Sequence, residues 1–278
     1  MVVAWARTVV DAGLLGASSL VALSLTLVAA LGGCAAHADH GAEQTTTTTT
    51  VDPTLAETPA HDAIVCTTFV SHGIMEHLAE VTLPAGTIAL GPAVDADIVA
   101  DATSIGIQGD HVLTCANTVV RIGLRDGKVE QTDVACDAVT ADASAVWVAS
   151  AGRLARYVDF AAVKAHAPRA SVAIDEHRAN RFAPAPDGTL LGAAFQLDKL
   201  LHLSPSTGAA TSAITLKGYS GITLGLSDAG GDRVVVAPWY LDGGLFVFDV
   251  KTGALQQALP RPSTGEFFHG LSCRAATM

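Results

Sequence analysis

The chain has 278 residues, 50% of them hydrophobic and 15% charged, with a mean hydropathy of +0.40 and a formal net charge of −11. That composition suits a folded chain with a sizeable core. An acidic balance with only 16 Lys plus Arg argues against nucleic acid as a partner and against attraction to anionic lipid surfaces, and mainly implies solubility.

The first element reads as an export leader. Arg7 and the free amino terminus give a weakly positive start, interrupted by Asp11, ahead of Leu14, Leu15, Leu20, Val21, Leu23, Leu25, Leu27 and Val28. An apolar run ending in small residues is the pattern of an export signal. The run closes on Leu31-Gly32-Gly33-Cys34, which resembles a bacterial lipobox. The lipoprotein family implied by that resemblance places a diacylglyceryl group on the cysteine sulfur, cleaves before it and acylates the new amino terminus. Several chains matter, because one alone holds a protein only reversibly at a membrane. Residues 1–33 are therefore expected to be a lipoprotein signal peptide, and Cys34 the site of lipidation through which the chain meets a membrane. Two other readings stay open. One is ordinary cleavage after Ala36-His37-Ala38. The other is an uncleaved span, since the run approaches the ~20 residues a membrane helix needs; Ser18, Ser19, Gly32 and Gly33 weigh against it. Ala35 rather than Asp follows the cysteine, which resembles the sorting pattern of outer-membrane lipoproteins. The expected location is the bacterial cell envelope, lipid-anchored at the outer membrane. Arg7 and Asp11 leave together, so the net charge survives processing.

Residues 34–61 hold few apolar side chains and include the run Thr45 to Thr50, followed by Pro53 and Pro59. Such a segment cannot bury enough surface to offset its ordering entropy, and is expected to be a flexible tether. His37, Asp39, His40 and Glu43 in it read as solvated linker residues rather than metal ligands.

Beyond the tether, residues 62–278 carry four cysteines, Cys66, Cys115, Cys136 and Cys273. An even number in an exported chain is compatible with two disulfides in any of three pairings, and equally with buried free thiols.

The same region repeats one pattern: a turn with Asp or Gly, a β-branched run, a second turn, an alternating run, and a short polar turn with Gly. The clearest unit is the last, with strands predicted over Ser220 to Leu226, Arg233 to Pro238, Leu245 to Val250 and Ala254 to Leu259, and turns at Asp228 to Asp232, Leu241 to Gly244 and Lys251-Thr252-Gly253. Earlier units align by their second strands, which begin at Val112, Val146, Leu190 and Val234, offsets of 34, 44 and 44 residues. Third strands correspond at Val120 to Leu124, Leu154 to Val158, Leu201 to Leu203 and Phe246 to Phe248. The turns Arg125-Asp126-Gly127 and Pro205-Ser206-Thr207-Gly208 repeat as well. The second unit replaces its turn with Asp159 to Ala167, where a short helix is expected.

Four antiparallel strands in about forty residues is the content of a propeller blade. Asp249-Val250-Lys251-Thr252-Gly253 resembles the D-x-x-T-G turn of quinoprotein-like and YVTN-type propellers. The expected fold is therefore all-β, a β-propeller of about five four-stranded blades, since the roughly 217 residues from Asp62 onward divide into five of about 43. A β-sandwich and a truncated larger propeller are the alternatives. In the propellers this resembles, one blade mixes strands from both chain ends. Phe267 to Cys273 would then lie beside the segment around Cys66, and the resemblance implies the pairing Cys66–Cys273 with Cys115–Cys136.

No G-x-S-x-G, H-E-x-x-H, P-loop or EF-hand pattern is present, and no Cys-x-x-Cys-His haem site. A quinoprotein dehydrogenase needs a tryptophan floor and an adjacent cysteine pair, whereas this chain has three tryptophans, Trp5 being in the leader, and no such pair. A metal-dependent lactonase-type propeller draws on Glu, Asn and Asp in the channel, for which Asn117, Glu176, Asn180 and Asp198 are the available residues; turn capping explains each of them. Neither a cofactor nor a catalytic or metal-ligating residue is assigned. Loops joining second to third strands gather on one face, where Gln196, Asp198 and Lys199 meet Trp239, Tyr240 and Asp242, and Trp and Tyr are favoured contact residues. His177, Arg178 and Arg181 are candidates for the rim of that face. The expected function is a non-catalytic binding or scaffold module for an envelope protein or a small-molecule ligand, with a quinoprotein-like oxidoreductase or a metal-dependent hydrolase as the alternative.

Overall fold

Second strands in this chain read as unbroken apolar runs because neighbouring blades bury them from both sides. In the computed structural model Arg233–Pro238 is buried at every position, Val146–Ser150 at all but its last, and Leu190–Ala193 throughout. The structure describes residues 63–72, 75–99, 102, 104–175, 181–193, 196–197, 199–219, 221–238, 244–260 and 268–276. Cys34 and the tether lie outside the described residues.

Among these residues the strands form five antiparallel sheets arranged as a five-bladed propeller. Blade 1 takes β1 (Ile64–His72), β2 (Met75–Leu83) and β3 (Thr87–Val94) from the start of the folded region and β21 (Phe268–Ala275) from the end of the chain, in the order β21-β1-β2-β3. After α1 (Ala96–Val99), blade 2 runs β4 (Ile105–Gln108), β5 (His111–Ala116), β6 (Thr118–Gly123) and β7 (Val129–Ala135). Blade 3 is β8 (Ala138–Ala141), β9 (Val146–Ser150), β10 (Arg153–Tyr157) and β11 (Ala170–Ala173), with α2 (Phe160–Lys164) between its last two strands. Blade 4 is β12 (Arg181–Pro184), β13 (Leu190–Ala193), β15 (Lys199–Leu203) and β16 (Ala210–Thr215). Blade 5 is β17 (Gly221–Gly230), β18 (Arg233–Pro238), β19 (Leu245–Asp249) and β20 (Leu255–Leu259). The two-residue β14 (Gln196–Leu197) leaves blade 4 to pair with β17, an addition the repeat pattern did not suggest.

The innermost strands touch in a closed ring, β21 on β4, β4 on β8, β8 on β12, β12 on β17 and β17 on β21. Five blades leave little room at the axis, so small residues are needed there. A Cβ on Gly106 of β4 would lie 1.8 Å from the Ala141 nitrogen of β8, and one on Gly225 of β17 would lie 2.9 Å from the Leu271 side chain of β21. The core is divided accordingly, with one buried apolar cluster in each of the five seams. Phe69, Leu78 and Val112 lie between blades 1 and 2, Leu113, Val139 and Phe160 between 2 and 3, and Trp147, Phe182 and Leu190 between 3 and 4. Leu191, Val234 and Phe248 fill the seam of blades 4 and 5, and Val235, Val247 and Phe268 that of blades 5 and 1.

The turn between the third and fourth strands of each blade rests on the outer strand of the blade before it. In blade 5, Asp249 Oδ1 accepts hydrogen bonds from the Lys251 and Thr252 N–H groups and the Thr252 hydroxyl, folding the D-x-x-T-G turn. Gly253 then sits at φ +66 with its Cα against the end of β16, where a Cβ would be 1.9 Å from the Thr215 carbonyl oxygen. Gly208 meets Ala173 of β11 in the same way. Blade 3 uses α2 instead. Asp159 caps it by accepting from the Ala162 N–H at 2.8 Å, Lys164 and Arg121 both pair with Glu130 of β7, and His166 lies 2.8 Å from Asp133 on the same strand.

Two disulfides tie this frame. Cys66 on β1 is joined to Cys273, its register partner on β21, with Cα atoms 4.0 Å apart, so the blade that unites the chain ends is closed covalently. Cys115 at the end of β5 is joined to Cys136 in the connection from blade 2 to blade 3, Cα atoms 5.9 Å apart.

Candidate functional site

In blades 2 to 5 the innermost strand turns back into the second strand, and these ends, together with the end of β21, converge on one mouth of the channel. A cavity of about 650 Å³ opens there. Its wall takes Ile107 and Gly109 from blade 2, Ala141 to Ala143 from blade 3, Pro184 from blade 4, Ser227 and Asp228 from blade 5, and Ser272 to Arg274 from blade 1. All five blades contribute.

Below the mouth the wall is bonded across blades. The Ser104 hydroxyl oxygen, just ahead of β4, accepts from the Phe182 N–H of β12 at 3.1 Å, and the Thr140 hydroxyl of β8 donates to the Ile105 carbonyl of β4 at 3.2 Å. Ser227 Oγ on β17 accepts from the Cys273 N–H on β21 at 2.7 Å. Buried polar groups need such partners, and here the partners sit on other blades, which fixes the shape of the cavity.

Two carboxylates stand at the mouth. Asp142 Oδ1 accepts from Ser144 N–H at 2.6 Å, Ser144 Oγ–H at 2.8 Å and Ala145 N–H at 3.0 Å, so most of its bonding capacity holds its own turn. Asp228 is half-buried on β17 and accepts from the Gly230 N–H at 2.7 Å. Burial pushes its carboxyl above the ordinary value; the Gly230 N–H opposes that, Asp187 and Asp232 repel the charged form, and His202 offsets part of the repulsion. The remaining charged pair, Glu80 and Arg274 at 3.5 Å, is exposed on the rim. Among the described residues no group of three or more His, Cys, Asp or Glu is placed to hold a metal ion.

Asp228 was the residue that sequence reasoning misplaced. Asp228-Ala229-Gly230-Gly231-Asp232 has the composition of a turn, but β17 continues through Gly230, with a register irregularity between Asp228 and Gly230, and only Gly231 and Asp232 turn the chain. The carboxylate is thereby carried on the innermost strand. Aligning the first strands would have been needed to find it, and their small and polar residues give no periodic signal.

The face expected from second-to-third loops is at the other end of the blades. There Gln196 lies in β14 opposite Ile222, and Lys199 opens β15 as an exposed residue in register with Thr215. Asp198, Trp239, Tyr240 and Asp242 lie outside the described residues, as do Glu176, His177, Arg178 and Asn180. Arg181 is not a rim residue: it is the first residue of β12, only 8% exposed, and burial lowers its pKa to about 10. Asn117 occupies a positive-φ turn between β5 and β6, and its carbonyl accepts from the Cys136 N–H at 3.0 Å.

No protein-family model matches the chain, and no curated protein sequence matches it. Among solved structures it is similar to a glutaminyl cyclase of Myxococcus xanthus, at 11% identity over 63% of this chain and 71% of that chain, with a TM-score of 0.45. It is also similar to a virginiamycin B lyase from Staphylococcus aureus, at 12% identity over 71% of each chain, with a TM-score of 0.38.

Proposed function

We propose that this chain is a lipoprotein of the bacterial cell envelope, anchored through Cys34 at the outer membrane, whose propeller binds an envelope protein or a small molecule without transforming it. The lipobox-like Leu31-Gly32-Gly33-Cys34 supports the anchor. The pairing of all four cysteines of the folded region supports export, because disulfides persist in oxidising compartments.

The observation that carries the binding reading is the mouth cavity itself. It is concave, drawn from all five blades and held rigid by cross-blade hydrogen bonds, the form of a preorganised site. Asp142 and Asp228 make it acidic, so the group that enters is one that donates hydrogen bonds or carries positive charge. A hydrolytic reading draws on Asp228, whose carboxyl burial shifts upward, the direction that suits a general acid.

A photo-crosslinking side chain placed at Leu124, on the cavity wall, tests the reading in intact cells. The expected result is a light-dependent adduct from Leu124 and none from Ala210, an exposed position on the outer strand β16. Equal labelling at both positions, or none, would contradict it. Chemical alteration of the captured partner on incubation with the protein would favour the hydrolytic reading.

A further inference from the structure

The channel mouth has an arm. A second cavity, of about 300 Å³, lies between the outer strands of blade 1 and the third-to-fourth turn of blade 2, and Thr67, Glu80 and Leu124 line both it and the mouth cavity. Away from that junction its wall is apolar, formed by Leu78 and Ala79 of β2 and by Ala89, Leu90 and Gly91 of β3.

The two cavities differ in chemistry. Asp142 and Asp228 stand in the mouth, and among the described residues neither forms an ion pair with a Lys or Arg, whereas Glu80 at the junction is paired with Arg274. The arm ends on a leucine open to solvent. Leu90 is 45% exposed, one of two large hydrophobic side chains that the described residues leave uncovered, the other being Met75 on the neighbouring strand. β3 carries no charged residue, although the chain has a net charge of −11. It is also the outermost strand of its blade, and among the described residues no strand pairs with its outer edge. An extended chain in the arm therefore meets open backbone groups as well as apolar side chains, the two ingredients of peptide recognition at a strand edge.

We propose that mouth and arm form one groove for an extended segment of a partner protein, with a Lys or Arg of that segment at Asp142 and Asp228 and an apolar side chain against Leu90 and Leu124. Opposite charge places the basic residue in the mouth, and the continuity of the two cavities places the apolar one in the arm. The proposal rests on the reading of the mouth as a binding site, and adds to it the class of partner and the path that partner takes across blade 1.

The test is titration calorimetry of the full chain, in detergent micelles, with acetyl-Lys-amide and with acetylated peptide amides that hold one Leu and one Lys, in either order, separated by zero to four alanines. A matching set carries Glu in place of Lys. The expected result is at least one Leu and Lys peptide that binds about tenfold or more tighter than acetyl-Lys-amide, the scale of burying much of one leucine side chain. Leu90→Asp, a change at an exposed position, is expected to weaken that peptide about tenfold, and Ala210→Asp on the outer strand β16 is expected to leave it unchanged. Equal binding of the Glu peptides would overturn the proposal, as would binding of none of the Leu and Lys peptides. So would a leucine that adds nothing over acetyl-Lys-amide. In each of these cases the mouth reading is decided separately, by the adduct at Leu124.

Discussion

Asp228 is held where its charge is disfavoured. Its folded-state pKa is raised above the unfolded value of about 3.8, burial being the largest cause. For a carboxyl shifted in that direction, the stabilising contribution is full below the unfolded pKa and is lost as pH rises through the folded pKa. At neutral pH the ionised side chain therefore destabilises the fold. Asp228→Asn keeps an oxygen for the Gly230 N–H and cannot ionise, so it is expected to melt at a higher temperature than the wild type at pH 7, with the gap closing as pH falls below 4. Thermal melts across that range check it, and a variant less stable at pH 7 would contradict it. A residue retained against stability at a cavity mouth is what a binding or catalytic role explains. Glu130 and Asp133 behave oppositely. Their partners Lys164 with Arg121, and His166, hold both below the ordinary carboxylate range, so their contribution is present above that range and lost in acid.

At the scale of elements, each third-to-fourth turn doubles as a bolt onto the preceding blade. Gly253→Ala places a methyl group 1.9 Å from the Thr215 carbonyl and forces a non-glycine residue to φ +66. The expected loss is about 2 kcal/mol or more by urea denaturation, because backbone on both sides must give. Asp159→Ala, which removes the cap of α2 in the corresponding position of blade 3, is expected to lose about 1 kcal/mol. A neutral Gly253→Ala would show that the turn does not bear on β16. The repeat of these turns, and the unbroken apolar second strands, made the blades legible in the sequence, since both follow from burial between neighbours. Of the innermost strands, Ser220 to Leu226 and the returning Phe267 to Cys273 were legible in part, while those of blades 2 to 4 were not. Ser104, Gly106, Thr140, Ser227 and Gly225 are chosen by crowding at the axis and by cross-blade hydrogen bonds, neither of which leaves a period. The mouth carboxylates sit at the ends of those strands and were hidden with them.

For the whole molecule, ring closure is the central stability problem, because blade 1 exists only when residues separated by 207 positions meet. The three outer strands of that blade come from the start of the folded region and the innermost from its end. In the chain-entropy picture, a crosslink over that separation stabilises by about 5 kcal/mol, and the 21-residue Cys115–Cys136 loop by about 3 kcal/mol. Cys66→Ala with Cys273→Ala is therefore expected to be the more damaging pair of substitutions, by about 1–2 kcal/mol over Cys115→Ala with Cys136→Ala. Equal losses in matched denaturant melts would mean that the five seams, rather than the covalent closure, hold the chain ends together.

The proposal that this propeller works from a lipid anchor in an oxidising compartment is tested most directly by intact mass combined with membrane fractionation. The wild type and Cys34→Ala would be expressed in a bacterial host and measured with and without reductant. The account predicts a wild type that sediments with membranes, carries the mass of a chain beginning at Cys34 plus acyl groups, and gains the mass of four hydrogen atoms on reduction, beside an unprocessed Cys34→Ala chain. A soluble wild type cleaved after Ala38, or one whose mass does not change on reduction, would contradict it.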